Sequence, residues 1–176
     1  MTKVFSSIVA LSAAALFVVS SVEAGKGKGN YGQIASVESA ENFCFFLPPN
    51  KGQGTISDNE DKAIAFCTKE LADAPGAKVF PEGFIETAHF KEDKEKNWVQ
   101  VTGRMSPKLY AMSKKDGGGQ YDIKAPVGAT CANYKYFVNM VEPDGSTYCM
   151  RCCETKEDCP VGKSTYGCKA VIDGTY

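Results

Sequence analysis

The apolar positions of this chain fall into short blocks separated by glycine, proline and charge, a spacing that predicts strands more than long helices. Phe43-Cys44-Phe45-Phe46-Leu47 is a compact apolar run closed by Pro48-Pro49. It suits a buried strand whose ladder the prolines end. Gly83 to Phe90 and Asn97 to Gly103 read as two more strands, and the six charged residues from Lys91 to Lys96 form an exposed connection between them. The two strands should therefore pair antiparallel. Alternation is clearest from Asn133 to Val141, where Tyr134, Tyr136, Val138 and Met140 face one way and Lys135 and Asn139 the other. Glu142-Pro143-Asp144-Gly145-Ser146 then supplies a turn, and the chain returns as Thr147 to Met150 in a hairpin. One stretch carries helical spacing. Asp58 is placed as an N-cap, Glu60 and Asp61 fall in the first turn, and Ala63, Phe66 and Cys67 share a face. The same residues also permit a strand.

The beginning of the chain has a different character. A short basic start, the apolar run Ile8 to Val19 and small residues at Val22 and Ala24 form a secretory signal pattern over residues 1–24, with cleavage after Ala24. The run is shorter than the roughly 18–20 residues that a spanning helix needs. Residues 25–40 are glycine-rich and polar, and are expected to form a flexible tail. Residues 41–176 then make one domain, with no internal repeat. With 20 basic and 21 acidic side chains the net charge is −1, a balance that argues against nucleic acid or an anionic membrane surface as a partner, since both call for clustered positive charge.

Eight cysteines change the picture more than any other residue type. They are Cys44, Cys67, Cys131, Cys149, Cys152, Cys153, Cys159 and Cys168. An even number behind a secretory leader reads as a disulfide framework, because the export route oxidises thiols. Five of the eight crowd between Cys149 and Cys168, with too few long apolar side chains among them to build a core. That segment should be irregular and stapled. Adjacent Cys152 and Cys153 are expected to reach different partners, since a bond between neighbours is strained. Cys44 and Cys67 are one candidate pair. A zinc site built on Cys149, Cys152, Cys159 and Cys168 is the alternative, and a redox role for Cys149-x2-Cys152 lacks its strand–helix setting. No metal or other cofactor is expected.

Catalytic chemistry has few candidates. His89 is the only histidine, so any nucleophile–histidine catalyst would have to use it, and no Gly-x-Ser-x-Gly elbow accompanies it. Asp116 and Asp122 flank a glycine loop and are the candidates for an acid pair that could hydrolyse a glycosidic bond. Trp98, Tyr110 and Tyr121, with other tyrosines, could present an aromatic face to a polysaccharide or a protein, although alternation sends several of them to the core.

The combination of Phe43-Cys-Phe-Phe-Leu-Pro-Pro49, Ala65-Phe-Cys-Thr68, Val101-Thr-Gly-Arg104, Gly118-Gly-Gln-Tyr-Asp122, Arg151-Cys-Cys153, Asp158-Cys-Pro160 and Gly167-Cys168 resembles a family of small secreted cysteine-rich proteins of fungi. The resemblance implies an extracellular, effector-like or wall-associated protein. It transfers no catalytic residue. These readings converge on a β-rich α+β domain of antiparallel strands with one short helix. It would be secreted and non-catalytic, binding a cell-wall polysaccharide or a host or partner protein. A secreted hydrolase using Asp116–Asp122 and a structural wall protein are the alternatives.

Overall fold

The computed structural model describes Met1 and residues 31–176, so the expected leader over 1–24 lies, after Met1, outside the described residues. The strands in chain order are β1 (Ile34–Ala35), β2 (Cys44–Leu47), β3 (Ile64–Cys67), β4 (Lys78–Val79), β5 (Ile85–Asp93), β6 (Trp98–Met105), β7 (Gly119–Asp122), β8 (Thr130–Cys131), β9 (Tyr136–Glu142) and β10 (Thr147–Cys153). One α-helix, α1 (Cys168–Val171), follows them. The longest strands make an antiparallel five-stranded sheet in the order β5-β6-β10-β9-β7. A smaller sheet runs β2-β3-β4, and β1 pairs with β8 in parallel. The β-rich α+β class with a stapled antiparallel sheet is what the sequence predicts.

Period-2 alternation on β10, the central strand of the large sheet, sets up two cores. Tyr148, Met150 and Cys152 pack into an inner core shared with β2 and β3. Cys149 and Cys153 pack into an outer cluster with Trp98, Val138, Met140 and Ile172. The inner core is an aromatic stack: the Phe45 ring lies 4.7 Å from Tyr148 and 4.6 Å from Phe80. Close approach here depends on Gly103. A Cβ at that position would sit 2.0 Å from the Thr87 carbonyl oxygen and 2.8 Å from the Tyr148 hydroxyl. Without it, the buried Tyr148 hydroxyl donates to Thr87 O at 2.8 Å, so the core holds no unpaired phenol at this point.

Four disulfides account for all eight cysteines: Cys44–Cys67, Cys131–Cys152, Cys149–Cys168 and Cys153–Cys159. The thiolates of the zinc alternative are therefore consumed. Neighbouring Cys152 and Cys153 do reach different partners, because successive strand residues point to opposite faces. Cys152 ties the inner core to β8, and Cys153 holds the loop that leads into the C-terminal segment.

Three expectations are corrected. The helix placed after Asp58 is a single 3-10 turn, Ser57–Asn59, followed by strand β3. Asp58 Oδ2 accepts from the Thr55 amide and caps no helix. Residues Ala65–Cys67 are buried on both faces, so no polar alternation marks them as a strand, and Cys44–Cys67 links strand to strand across directly opposed positions. The short helix occurs instead at Cys168–Val171. The flexible tail does not extend to residue 40: Ala35 is fully buried, and Ser36 O accepts from Cys44 N at 2.7 Å. The segment expected to be irregular from Cys149 is regular as far as Cys153, on β10, whereas Asn139 lies opposite Val138 and Met140 as the alternation predicts. Asn139 is buried, with Oδ1 accepting from Phe46 N at 2.9 Å and Nδ2 donating to Cys149 O at 3.0 Å, which bonds the small sheet to the large one.

Candidate functional site

The outer face of the large sheet carries polar residues where the inner face is apolar. Antiparallel register lines them up in rows across β5, β6 and β10: His89 beside Thr102 and Cys149, Lys91 beside Gln100 and Arg151, Asp93 beside Trp98 and Cys153. The C-terminal segment crosses this face. Gln100 Nε2 donates to Asp173 O at 2.7 Å, and Thr102 Oγ1 donates to Thr175 O at 2.6 Å. Gly174 between them is required by contact, since a Cβ there would lie 2.8 Å from Thr102 Oγ1. Behind the segment, the Cys149–Cys168 bridge clamps α1 onto β10.

Beside this crossing lies an open cavity of about 380 Å³, lined by His89, Lys91, Gln100, Thr102, Asp173 and Thr175 among others. Its wall is stiffened from within by Arg151. That guanidinium donates twice to Gln100 Oε1, at 2.9 and 2.6 Å, and once to Asp158 O at 3.1 Å. It stands 4.5 Å from the Trp98 ring, and Lys91 Nζ stands 5.9 Å from the same ring. Burial pulls the Arg151 pKa below its ordinary value. The Gln100 amide is thus held at both ends: Oε1 by Arg151, Nε2 by the Asp173 carbonyl. The exposed imidazole of His89, ammonium of Lys91, carboxylate of Asp173 and hydroxyl of Thr175 give the cavity both donors and acceptors.

Of the predicted site residues, the structure brings only His89 and Trp98 to this face. Trp98 is a correction as a ligand platform: it is 7% exposed, its ring covered by Arg151 and Lys91. Tyr110 and Tyr121 are buried as well. The Tyr110 hydroxyl donates to Pro48 O at 2.7 Å, and burial pushes its pKa up to about 12. Burial, with Glu60 and Asp116 nearby, raises the Tyr121 phenol well above its usual range. No shared aromatic face forms from these three. Asp116 is buried, its Oδ2 accepting from Ile56 N at 2.8 Å and its Oδ1 from Gly118 N at 2.9 Å. Asp122 Oδ1 accepts from Lys124 N at 2.7 Å and Oδ2 from Gln120 Nε2 at 3.0 Å. Both carboxylates hold loop backbone or a neighbouring side chain, and β10 and β9 lie between Asp122 and Gln100. Lys91, Gln100, Thr102, Arg151 and Asp173 were not singled out from sequence. A signal existed in the alternation His89, Lys91 on one strand and Gln100, Thr102 on the next, but only the register shows that they meet.

Over 90 residues, 51% of this chain, the protein is 33% identical to the appressorium protein ROW1 of Mycosarcoma maydis. The matched part is 20% of that protein's length, so this chain corresponds to a fraction of its relative. No family model and no solved structure matches the chain. The partial likeness and the four disulfides fit a cysteine-rich fungal protein with an extracellular role. Among the described residues, no helix is long and apolar enough to cross a membrane.

Proposed function

We propose that the protein is a secreted, non-catalytic binding module that engages a cell-wall polysaccharide outside the cell through the outer-face cavity. The observation that carries this reading is the composition of that cavity: the exposed His89, Lys91, Asp173 and Thr175 stand beside the buried Gln100 and Thr102, which fix the C-terminal segment in place. Such a set suits a hydroxyl-rich chain lying across an open surface. Both acids of the proposed hydrolase pair are engaged in backbone or side-chain hydrogen bonds, which weighs against that alternative. The appressorium relative supports a setting at the fungal surface.

The test is depletion of the full chain from solution by insoluble chitin, β-glucan and cellulose, with albumin as a non-binding control. Retention on at least one polymer, weakened by the double substitution His89→Ala with Lys91→Ala, is the expected result. Undiminished retention of that variant would remove the outer-face cavity from the function. Retention on no polymer, with capture of a protein partner instead, would replace the reading by protein recognition.

A further inference from the structure

An aromatic ring that the outer-face cavity does not use stands open at the other sheet. Tyr31 is 80% exposed, the most exposed aromatic side chain among the described residues. Its backbone is nonetheless pinned on both sides of the next residue: Gly32 N donates to Pro75 O at 2.9 Å, and Gly32 O accepts from Ala65 N at 2.9 Å. The ring has a dedicated seat. A Cβ on Gly76 would fall 2.5 Å from Tyr31 Cδ1 and Cε1, so the phenol lies directly on a residue that only glycine can occupy. Gly32 and Gly76 both take φ near +79°, a conformation that glycine alone adopts freely. A glycine at Gly32 is needed as well, since its Cβ would approach Gly76 O to 3.3 Å. Two positive-φ glycines thus support one exposed ring.

Beside the ring is a cavity of about 390 Å³ lined by Leu71, Ala74, Pro75 and Ala77 and by the acidic Glu70. Among the described residues the Glu70 carboxylate has no ion pair and no hydrogen bond. Asp73 nearby is engaged, accepting from Asn133 at 3.3 Å. Apolar lining residues, an exposed ring and a carboxylate without a partner among the described residues complement a body with an apolar face and a hydroxyl rim. A pyranose has that shape.

We infer that Tyr31, seated on Gly76, is a stacking platform for one sugar ring of a wall glycan, with Glu70 accepting from its hydroxyls. This inference rests on the polysaccharide reading above and adds a second contact, built from different residues. Isothermal titration of the full chain with chitohexaose, laminarihexaose and cellohexaose tests it. Tyr31→Ala should weaken binding of the preferred sugar about tenfold. Tyr31→Trp should hold it within a few-fold. Gly76→Ala, which unseats the ring while keeping the phenol, should also weaken it. Near-ultraviolet circular dichroism and an unchanged disulfide count exclude misfolding of each variant. If Tyr31→Ala and Gly76→Ala bind as wild type while the His89/Lys91 variant loses affinity, this platform is refuted and the polysaccharide reading stands. If wild type binds none of the sugars, both fall together.

Discussion

Asn139 offers the sharpest test of how the two sheets are held together. Its amide is buried between β2 and β9, accepting from Phe46 N and donating to Cys149 O. Asn139→Ala removes both partners and leaves a small void. Each buried main-chain group left unpaired costs about 1–3 kcal/mol, so the substitution should destabilise by about 2–5 kcal/mol. Against a usual total of about 5–15 kcal/mol this is a large fraction, and it corresponds to a fall in Tm of about 5–15 °C for a chain of this size. Urea denaturation followed by circular dichroism, with disulfides intact, measures it. Asn139→Leu separates the causes: it refills the volume but restores neither hydrogen bond, so it should stay destabilised by at least about 2 kcal/mol. Asn139→Asp keeps the acceptor and loses the donor. Burial raises the pKa of such a carboxyl above its unfolded value, so this variant should be most stable in acid and lose stability as pH rises from the unfolded value through the folded one. A drop of less than about 1 kcal/mol in Asn139→Ala, or full rescue by leucine, would refute the hydrogen-bond account.

No disulfide spans residues 68–130, so a proteolytic nick in the exposed turn at Lys114-Lys115 should yield two separate polypeptides in denaturant without reductant, whereas reduction of the uncut chain should add eight hydrogens to its mass. Glu142 is half-buried and its pKa is raised, chiefly by burial, against the lowering effect of the Cys168 amide. A raised carboxylate pKa means stability that is present in acid and lost as pH rises through the folded value. Glu142→Gln should therefore flatten the stability profile just above pH 4.5 in denaturation midpoints measured from pH 3 to 7, and an unchanged profile would refute the assignment.

What the sequence makes legible is what local pattern controls. The β5–β6 pair and the β9–β10 hairpin are bounded by a charged connection and by a proline–glycine turn, so their existence follows from short stretches of chain. Burial on both faces hides β3, which has no alternation to show and imitates a helix face. Distance in sequence hides β1, because its partner strand β8 supplies the surface that Ala35 buries against. Burial also explains the aromatic error. A face of tyrosines can be read from one strand, but whether a second layer covers it depends on chain elsewhere, as with Tyr121 against Phe46. Tyr31 carries no signal of its own in the sequence, because it stands in a polar stretch and the glycine that seats it is far along the chain.

The disulfide layout links the site to the compartment. The inner core is an aromatic stack with hydrogen-bonded sheets and has packing of its own. The outer layer is thin, and four of its nine buried members are half-cystines. Cys149–Cys168 and Cys153–Cys159 are what fix the segment after β10 against the face where Asp173 and Thr175 meet Gln100 and Thr102. Each bridge contributes about 2–4 kcal/mol by restricting the unfolded chain, more than the two hydrogen bonds beneath the C-terminal segment offer at about 1 kcal/mol each. Reduction should accordingly free the C-terminal segment and dissolve the outer-face cavity before it melts the inner sheet pair. An oxidising exterior is then a condition for the cavity's shape, which agrees with a protein whose work is outside the cell.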